Sequence, residues 1–232
     1  NNTATGRNSL ADNTTGGHNT AVGVQALFTN VAGSYATAIG VNAMRNANNT
    51  ITAFTNTNVA VGFEALRGSS TASANTGNDN TAIGYQTLMN NTTGNRNISF
   101  GYASLSSNLT GNDNAALGYN ALAVATGSQN TALGSFSMES TTTGQYNTAM
   151  GFQSMLSNTT GSYNTSIGRQ SLATTTVGNF NTAVGYSAGN SFNNGSNNTF
   201  IGYNADASAA SFTNAMAAGN GAVVTASNRV RI

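Results

Sequence analysis

Residues able to move protons, attack a carbonyl or bind a metal are scarce in this sequence. A single histidine, His18, stands with six carboxylates and seven arginines among 232 residues, and there is neither lysine nor cysteine. A Ser-His-Asp arrangement could draw only on His18, which falls at a variable, solvent-side position of the repeat described below. The carboxylates Asp12, Glu64, Asp79, Asp113, Glu139 and Asp206 are dispersed along the chain. They form neither a glycosidase-like pair nor a set with metal-ligand spacing. The 27 glycines recur in phase with the repeat instead of following one strand and opening a helix, so they are not a dinucleotide signal. The sequence predicts no catalysis, no metal and no cofactor.

Charge excludes further classes. Only 6% of the residues are charged and the net charge is +1, with the arginines spread from Arg7 to Arg231. A phosphate backbone would need a basic patch, so no nucleic-acid partner is expected. No apolar run approaches the roughly 20 residues of a membrane-spanning helix, so no membrane insertion of this segment is expected. Without Cys, Pro or Trp, the chain has no disulfide framework either.

The elements that must position any functional group are set by a repeat. NTAVG at 19–23 returns as NTAIG at 80–84, NTALG at 130–134, NTAMG at 147–151 and NTAVG at 181–185. The repeated glycines run from Gly6 through Gly23, Gly40, Gly62 and Gly84 to Gly219, mostly 17 residues apart. A fixed register argues against disorder, to which a composition rich in Asn, Thr, Ser and Gly would otherwise point. Before each anchor Gly the order is Asn, mostly Thr, Ala or Ser, then an apolar residue such as Val22, Ile83 or Val184; Phe200 breaks the Ala/Ser column. Four residues after the Gly stands Leu or Met in every unit from Leu10 to Leu172, and a second Gly commonly follows at the tenth position, as at Gly16, Gly94 and Gly178.

A 17-residue unit is too short for a helical-hairpin repeat, and its Thr, Val and Gly disfavour helix. It suits one coil of an all-β parallel β-solenoid, with a short Thr-Ala-apolar strand and a Gly corner where positive φ is cheap. Alternation places Thr and the apolar residue on one face, expected to be the core face, and the small residue at a point of close approach. Stacking then lays Asn19, Asn80, Asn130, Asn147, Asn164 and Asn181 into a ladder of side-chain amides. So thin a coil contributes few large apolar groups, which predicts that chains associate to bury more surface. The shaft is expected over residues 1–205, with 206–232 a degenerate last coil and a transition toward a further C-terminal domain.

Two places depart from the frame. Five residues before each Gly lies a variable row: His18, Tyr35, Asp79, Arg96, Asp113, Gln129, Tyr146, Tyr163, Phe180 and Asn197. Its charged middle reads as a surface ion-pair ladder. The aromatics Tyr35, Tyr146, Tyr163 and Phe180 are candidate contacts for a glycan or receptor, or equally a cover for an inter-chain groove. The second departure is a pair of insertions, at 46–57 and 68–76, either recognition loops or solvent-exposed padding.

The units NTAIGYQTL, NTALGSFSM and NTAVGYSAG resemble the SVAIG-type repeats of the YadA-like head of trimeric autotransporter adhesins, over nearly the whole chain. The family's own repeats are shorter. The longer form, with TTG at 92–94 and 159–161, is similar to the shafts of phage and bacterial trimeric fibres that carry an endosialidase-type intramolecular chaperone. The closing AVVTASNRVRI resembles the segment that precedes such a chaperone. This resemblance implies a left-handed parallel β-roll interlocked as a parallel homotrimer, outside the cell on a surface or virion tail fibre. The expected role is a structural and adhesive rod for host-cell or surface-glycan attachment, with itself, a cell-surface glycan or an outer-membrane receptor as partners. Two alternatives stay open: an ice-binding solenoid, which fails if the Thr column points inward, and a glycan-degrading tail spike, against which the lack of a carboxylate cluster counts.

Overall fold

The computed structural model describes residues 1–232 and is an all-β parallel solenoid of about 13 turns with coils of about 17 residues. Its only helix is a 3-10 turn at Ala72–Ala74, inside the second insertion. The chain forms two compact units, residues 1–114 and 115–232. In the first, the three-residue strands Thr3–Thr5, Thr20–Val22, Thr37–Ile39, Val59–Val61, Thr81–Ile83 and Ile98–Phe100 stack in parallel with like positions paired, as in Thr20↔Thr37, Ala21↔Ala38 and Val22↔Ile39. The second unit repeats this from Ala115–Leu117 to Met216–Ala218, and Val230–Arg231 pairs on the last of these.

The strand faces are inverted from the expectation. From the second strand on, the mid-strand Ala or Ser is buried, as at Ala21, Ala82, Ala149 and Ser166, whereas the flanking apolar residue points outward and Leu117 is 51% exposed. The core of each coil is instead the small mid-strand residue, the small residue three places after the Gly and the Leu or Met that follows it. Leu27, Leu88, Leu105, Met138, Met155 and Leu172 are all inaccessible. The reason is room: the interior of a 17-residue coil is filled by one long side chain, so the strand facing it must contribute a methyl group. Where Ser replaces Ala, its hydroxyl is bonded, Ser99 to Ser104 and Thr87, and Ser166 to Ser171 and Ser154. The one large mid-strand residue, Phe200, lies against Phe192 with the rings tilted by 54°, and a Cβ on Gly189 would meet it at 2.7 Å. Phe200 thus fills the room that the Leu position, here Gly189, leaves vacant.

Each coil turns by left-handed backbone. Besides the anchor glycines, with φ between 123° and 143°, three non-glycine positions in most coils have positive φ, for example Tyr163 (61°), Gln170 (58°) and Leu172 (45°). Such a residue costs about 1–3 kcal/mol and persists only where its surroundings hold it. They hold it here through axial hydrogen bonds. Tyr163 and Gln170 donate their N–H to Gln145 and Phe152 of the preceding coil, and Leu172 donates to Ala188 of the next.

The two glycine columns have different causes. Gly151 has φ of +140°, and a Cβ there would also lie 2.4 Å from the carbonyl oxygen of Gly168. Gly178 needs no positive φ, yet its Cβ would lie 2.2 Å from the carbonyl oxygen of Gly195. Its column is glycine because neighbouring coils approach too closely for any side chain.

The Asn ladder is present in both units. Asn164 donates from Nδ2 to Asn147 Oδ1 (3.1 Å) and to the Gly178 carbonyl (2.8 Å), and its own Oδ1 accepts from the N–H and Nδ2 of Asn181. Asn147 and Asn130 repeat the pattern. In the first unit Asn80 donates to Asn58 and to Gly94, and Asn19 to Gly33. A second, shorter ladder was not anticipated from the sequence: Asn30 donates to Asn13, and Asn108 to Asn91, at the other corner. Its signal is an Asn three residues before the second Gly.

Because Asn164→Ala removes two donated and two accepted side-chain bonds in a buried place, it is expected to lower the unfolding free energy by about 2–4 kcal/mol. Gly178→Ala is expected to cost more than about 2 kcal/mol despite its ordinary φ, because backbone must move. Urea unfolding of both variants against the parent checks each value.

Candidate functional site

The row five residues before each anchor Gly owes its place to the left-handed backbone, which turns these side chains out of the coil. His18, Tyr35, Asp79, Arg96, Asp113, Gln129, Tyr146, Tyr163, Phe180 and Asn197 all have φ between 54° and 75°. In the first unit His18 stacks on Tyr35 with ring centroids 5.2 Å apart and 6° between planes. Further along, Arg96 forms a bidentate pair with Asp113, Nε to Oδ1 at 2.7 Å and Nη2 to Oδ2 at 2.9 Å. That hydrogen-bonded pairing holds the Asp113 carboxyl below its ordinary range and raises the Arg96 guanidinium. Asp79 accepts from the Thr57 hydroxyl.

In the second unit Tyr146, Tyr163 and Phe180 form one continuous stack, with centroids 4.7 and 4.9 Å apart and planes within 8°. This geometry changes what the row can offer. Both faces of Tyr163 are covered by its neighbours, so the exposed surface is ring edges and the two tyrosine hydroxyls. Sugar rings that stack on aromatic faces have only the outer faces of Tyr146 and Phe180 to use. Tyr35 lies in the other unit, with His18 rather than with these three, so the four predicted contact residues occupy one register position but two separate stacks.

A second aromatic row, one residue after the anchor Gly, was not singled out in the sequence although it stood in phase there. Phe63, Tyr85 and Tyr102 stack in the first unit at 5.2 and 4.9 Å. In the second, Tyr119 and Phe152 hold this position with Phe136, two residues after Gly134, between them in tilted and edge contact, and Tyr186 stacks on Tyr203. Arg169 bridges the gap, its guanidinium 5.7 Å from the Phe152 ring centroid and 5.4 Å from that of Tyr186. All of these rings but the half-buried Phe136 are exposed, and the row runs beside the outward apolar residues Ile39, Leu117, Met150, Ile167, Val184 and Ile201, on the other side of the anchor Gly. An apolar column this regular is the largest departure from an ordinary surface.

The insertions meet each other. Phe54–Thr55 pairs in parallel with Gly33–Ser34, and Asn75 of the second insertion donates to the Asn46 carbonyl of the first at 2.6 Å. Between them lies a recess lined by side chains of both insertions and of the coils beneath. No three His, Asp or Glu side chains converge to hold a metal, and no helix is long and apolar enough to cross a membrane. Neither protein-family models nor curated proteins show any match to this chain.

The ion pair makes a pH prediction. With its folded-state value lowered, Asp113 stabilises the fold above the ordinary carboxylate range near 3.8 and ceases to do so as pH falls through the lowered value. Thermal unfolding of Asp113→Asn should therefore differ from that of the parent at neutral pH and low salt, and converge with it in acid or in 1 M salt.

Proposed function

We propose that this chain is a structural and adhesive segment of a trimeric fibre, displayed outside the cell or on a virion tail, which supports attachment to a cell surface and performs no catalysis. The observation that carries the reading is the outward column of Val, Ile, Leu and Met beside each anchor Gly, followed by a row of exposed aromatic rings. A column that recurs in register on stacked parallel strands is self-complementary by translation, and a second and third copy of the chain can cover it along its length. The resemblance to YadA-like head repeats and to chaperone-bearing fibre shafts supplies the number three, the left-handed roll and the interlocking of chains. Within that assembly, repeated weak contacts along the shaft add up through multivalency. The stacked aromatics at Tyr146, Tyr163 and Phe180 remain a candidate glycan or receptor surface through their edges and hydroxyls.

Sedimentation equilibrium at micromolar concentration is expected to give three times the 23.4 kDa of one chain. Ile167→Asp with Val184→Asp, on the outward column, is expected to shift the mass to that of one chain while leaving the Asn ladder untouched. A parent chain that sediments as a monomer overturns the reading.

A second reading has one specific observation behind it. The Thr column at Thr131, Thr148, Thr165, Thr182 and Thr199 is half-buried, on the face opposite the buried mid-strand residue, in register, at the spacing of parallel strands, roughly 4.8 Å. The condition that would have removed ice binding, an inward Thr column, is not met. The same face cannot be covered by another chain and also lie against ice, so the two readings exclude one another. A thermal-hysteresis measurement separates them: a freezing-point gap that Thr165→Tyr abolishes favours ice, and its absence leaves the fibre reading alone.

A further inference from the structure

The ladder amides of this protein spend their N–H groups on neighbouring coils, but the insertions interrupt that economy. At the recess between them, Asn48, Asn56 and Asn78 each use only the carbonyl end. Asn48 Oδ1 accepts from the Thr50 N–H at 3.0 Å, Asn56 Oδ1 from Asn58 Nδ2 at 2.8 Å, and Asn78 Oδ1 from the Thr57 N–H at 2.8 Å. Acceptance from backbone N–H groups fixes which end of Asn48 and Asn78 is oxygen, and so which end is the amine. Their three Nδ2 groups donate to no other group of the chain, and each is open to solvent rather than sealed in the interior.

All three residues line the recess, which measures about 30 Å³, room for about two water molecules. Met44, Ala47 and Leu66, all buried, and Phe54 line the same recess. No lining residue is ionisable. The walls are held in place: Asn75 is bonded to Asn46 and at both ends to Ser69, and Asn56 donates its N–H to the Ser34 carbonyl. Little ordering is left to be done on binding.

Unpaired donors in a recess that also has an apolar lining, without charge, call for a ligand group with a neutral carbonyl acceptor and a methyl next to it. We infer that this recess binds the acetamido group of an N-acetylated sugar, the carbonyl taking N–H bonds from Asn48, Asn56 and Asn78 and the methyl lying toward Met44, Ala47 and Leu66. The recess is too small for a pyranose ring, which stays at the mouth between Thr55 and Thr76. A cation is the wrong ligand for three amines, and an anion would find no positive charge. The inference deepens the adhesive reading by naming a sugar class and a site for it.

Saturation-transfer NMR on the whole chain, with free N-acetylglucosamine, N-acetylgalactosamine, acetamide and glucose as probes, tests it. The expected result is transfer strongest at the acetyl methyl, present for acetamide and weak for glucose. Asn48→Asp and Asn78→Asp keep the internal acceptor and replace the free amide N–H group with a charged carboxylate oxygen that repels a carbonyl ligand. Each should weaken the N-acetyl sugar by about tenfold or more, through the lost hydrogen bond and the repulsion between carboxylate and carbonyl, with an unchanged circular dichroism spectrum showing that the fold is intact. Equal transfer to glucose, an absence of transfer at millimolar sugar, or N-acetyl sugar binding that neither variant alters overturns the assignment. The last result would move the sugar to the aromatic rows and leave the adhesive reading standing, which the mass of the assembly and whole-fibre attachment to cells decide separately.

Discussion

Hydrogen bonding along the solenoid axis is the constraint on which the rest of this structure depends. A coil of about 17 residues with three in a strand cannot satisfy its backbone groups within itself, so most of them are met by the coils above and below and the rest by tight turns such as Ser171 to Gly168. For the N–H groups at the corners to point along the axis, the chain must enter left-handed conformations, and it does so at Tyr163, Gln170 and Leu172 as well as at glycine. The Asn ladder belongs to the same requirement. Its amides donate to the Gly carbonyls of the second corner, and at Gly161 and its equivalents the shorter ladder adds a second donor from Asn158.

Close approach along the axis then dictates composition. With coils stacked at strand spacing, carbonyl oxygens stand 2.2–2.7 Å from where a Cβ would be on most corner glycines, and the mid-strand position tolerates Ala or Ser. Exceptions come with their compensation nearby. Phe200 occurs where Gly189 replaces Leu, and the mid-strand serines occur where a hydroxyl stands five residues on, at Ser104 and Ser171. What remains for the outside is Thr, the mid-sized apolar residue, the two aromatic rows and the insertions. Function has to be sought there, since the interior is committed to holding the coils together.

Much of this was legible before any coordinates. The period, the all-β solenoid, the Asn ladder, the burial of the Leu column and the row containing Tyr146, Tyr163 and Phe180 all follow from aligning the anchor glycines. Three features were not. The outward direction of Val184 and its equivalents was misread because alternation says which residues share a face without saying which face is inside. The left-handed conformation at Leu172 has no sequence signal, since leucine rarely adopts it and nothing in its side chain asks for it. The unpaired amines at Asn48, Asn56 and Asn78 look like every other Asn in the chain until their neighbours are known.

The sequence by itself determined the register: which residues stack on which, because an in-phase repeat of strands and glycine corners allows one alignment. Tertiary structure alone decided direction and vacancy. Whether a side chain points into a coil too narrow for two large groups, whether a ring face is covered by the next ring, and whether an amide finds its partner depend on distances between coils. Such distances are a property of the stack as a whole, and no single unit of the repeat contains them.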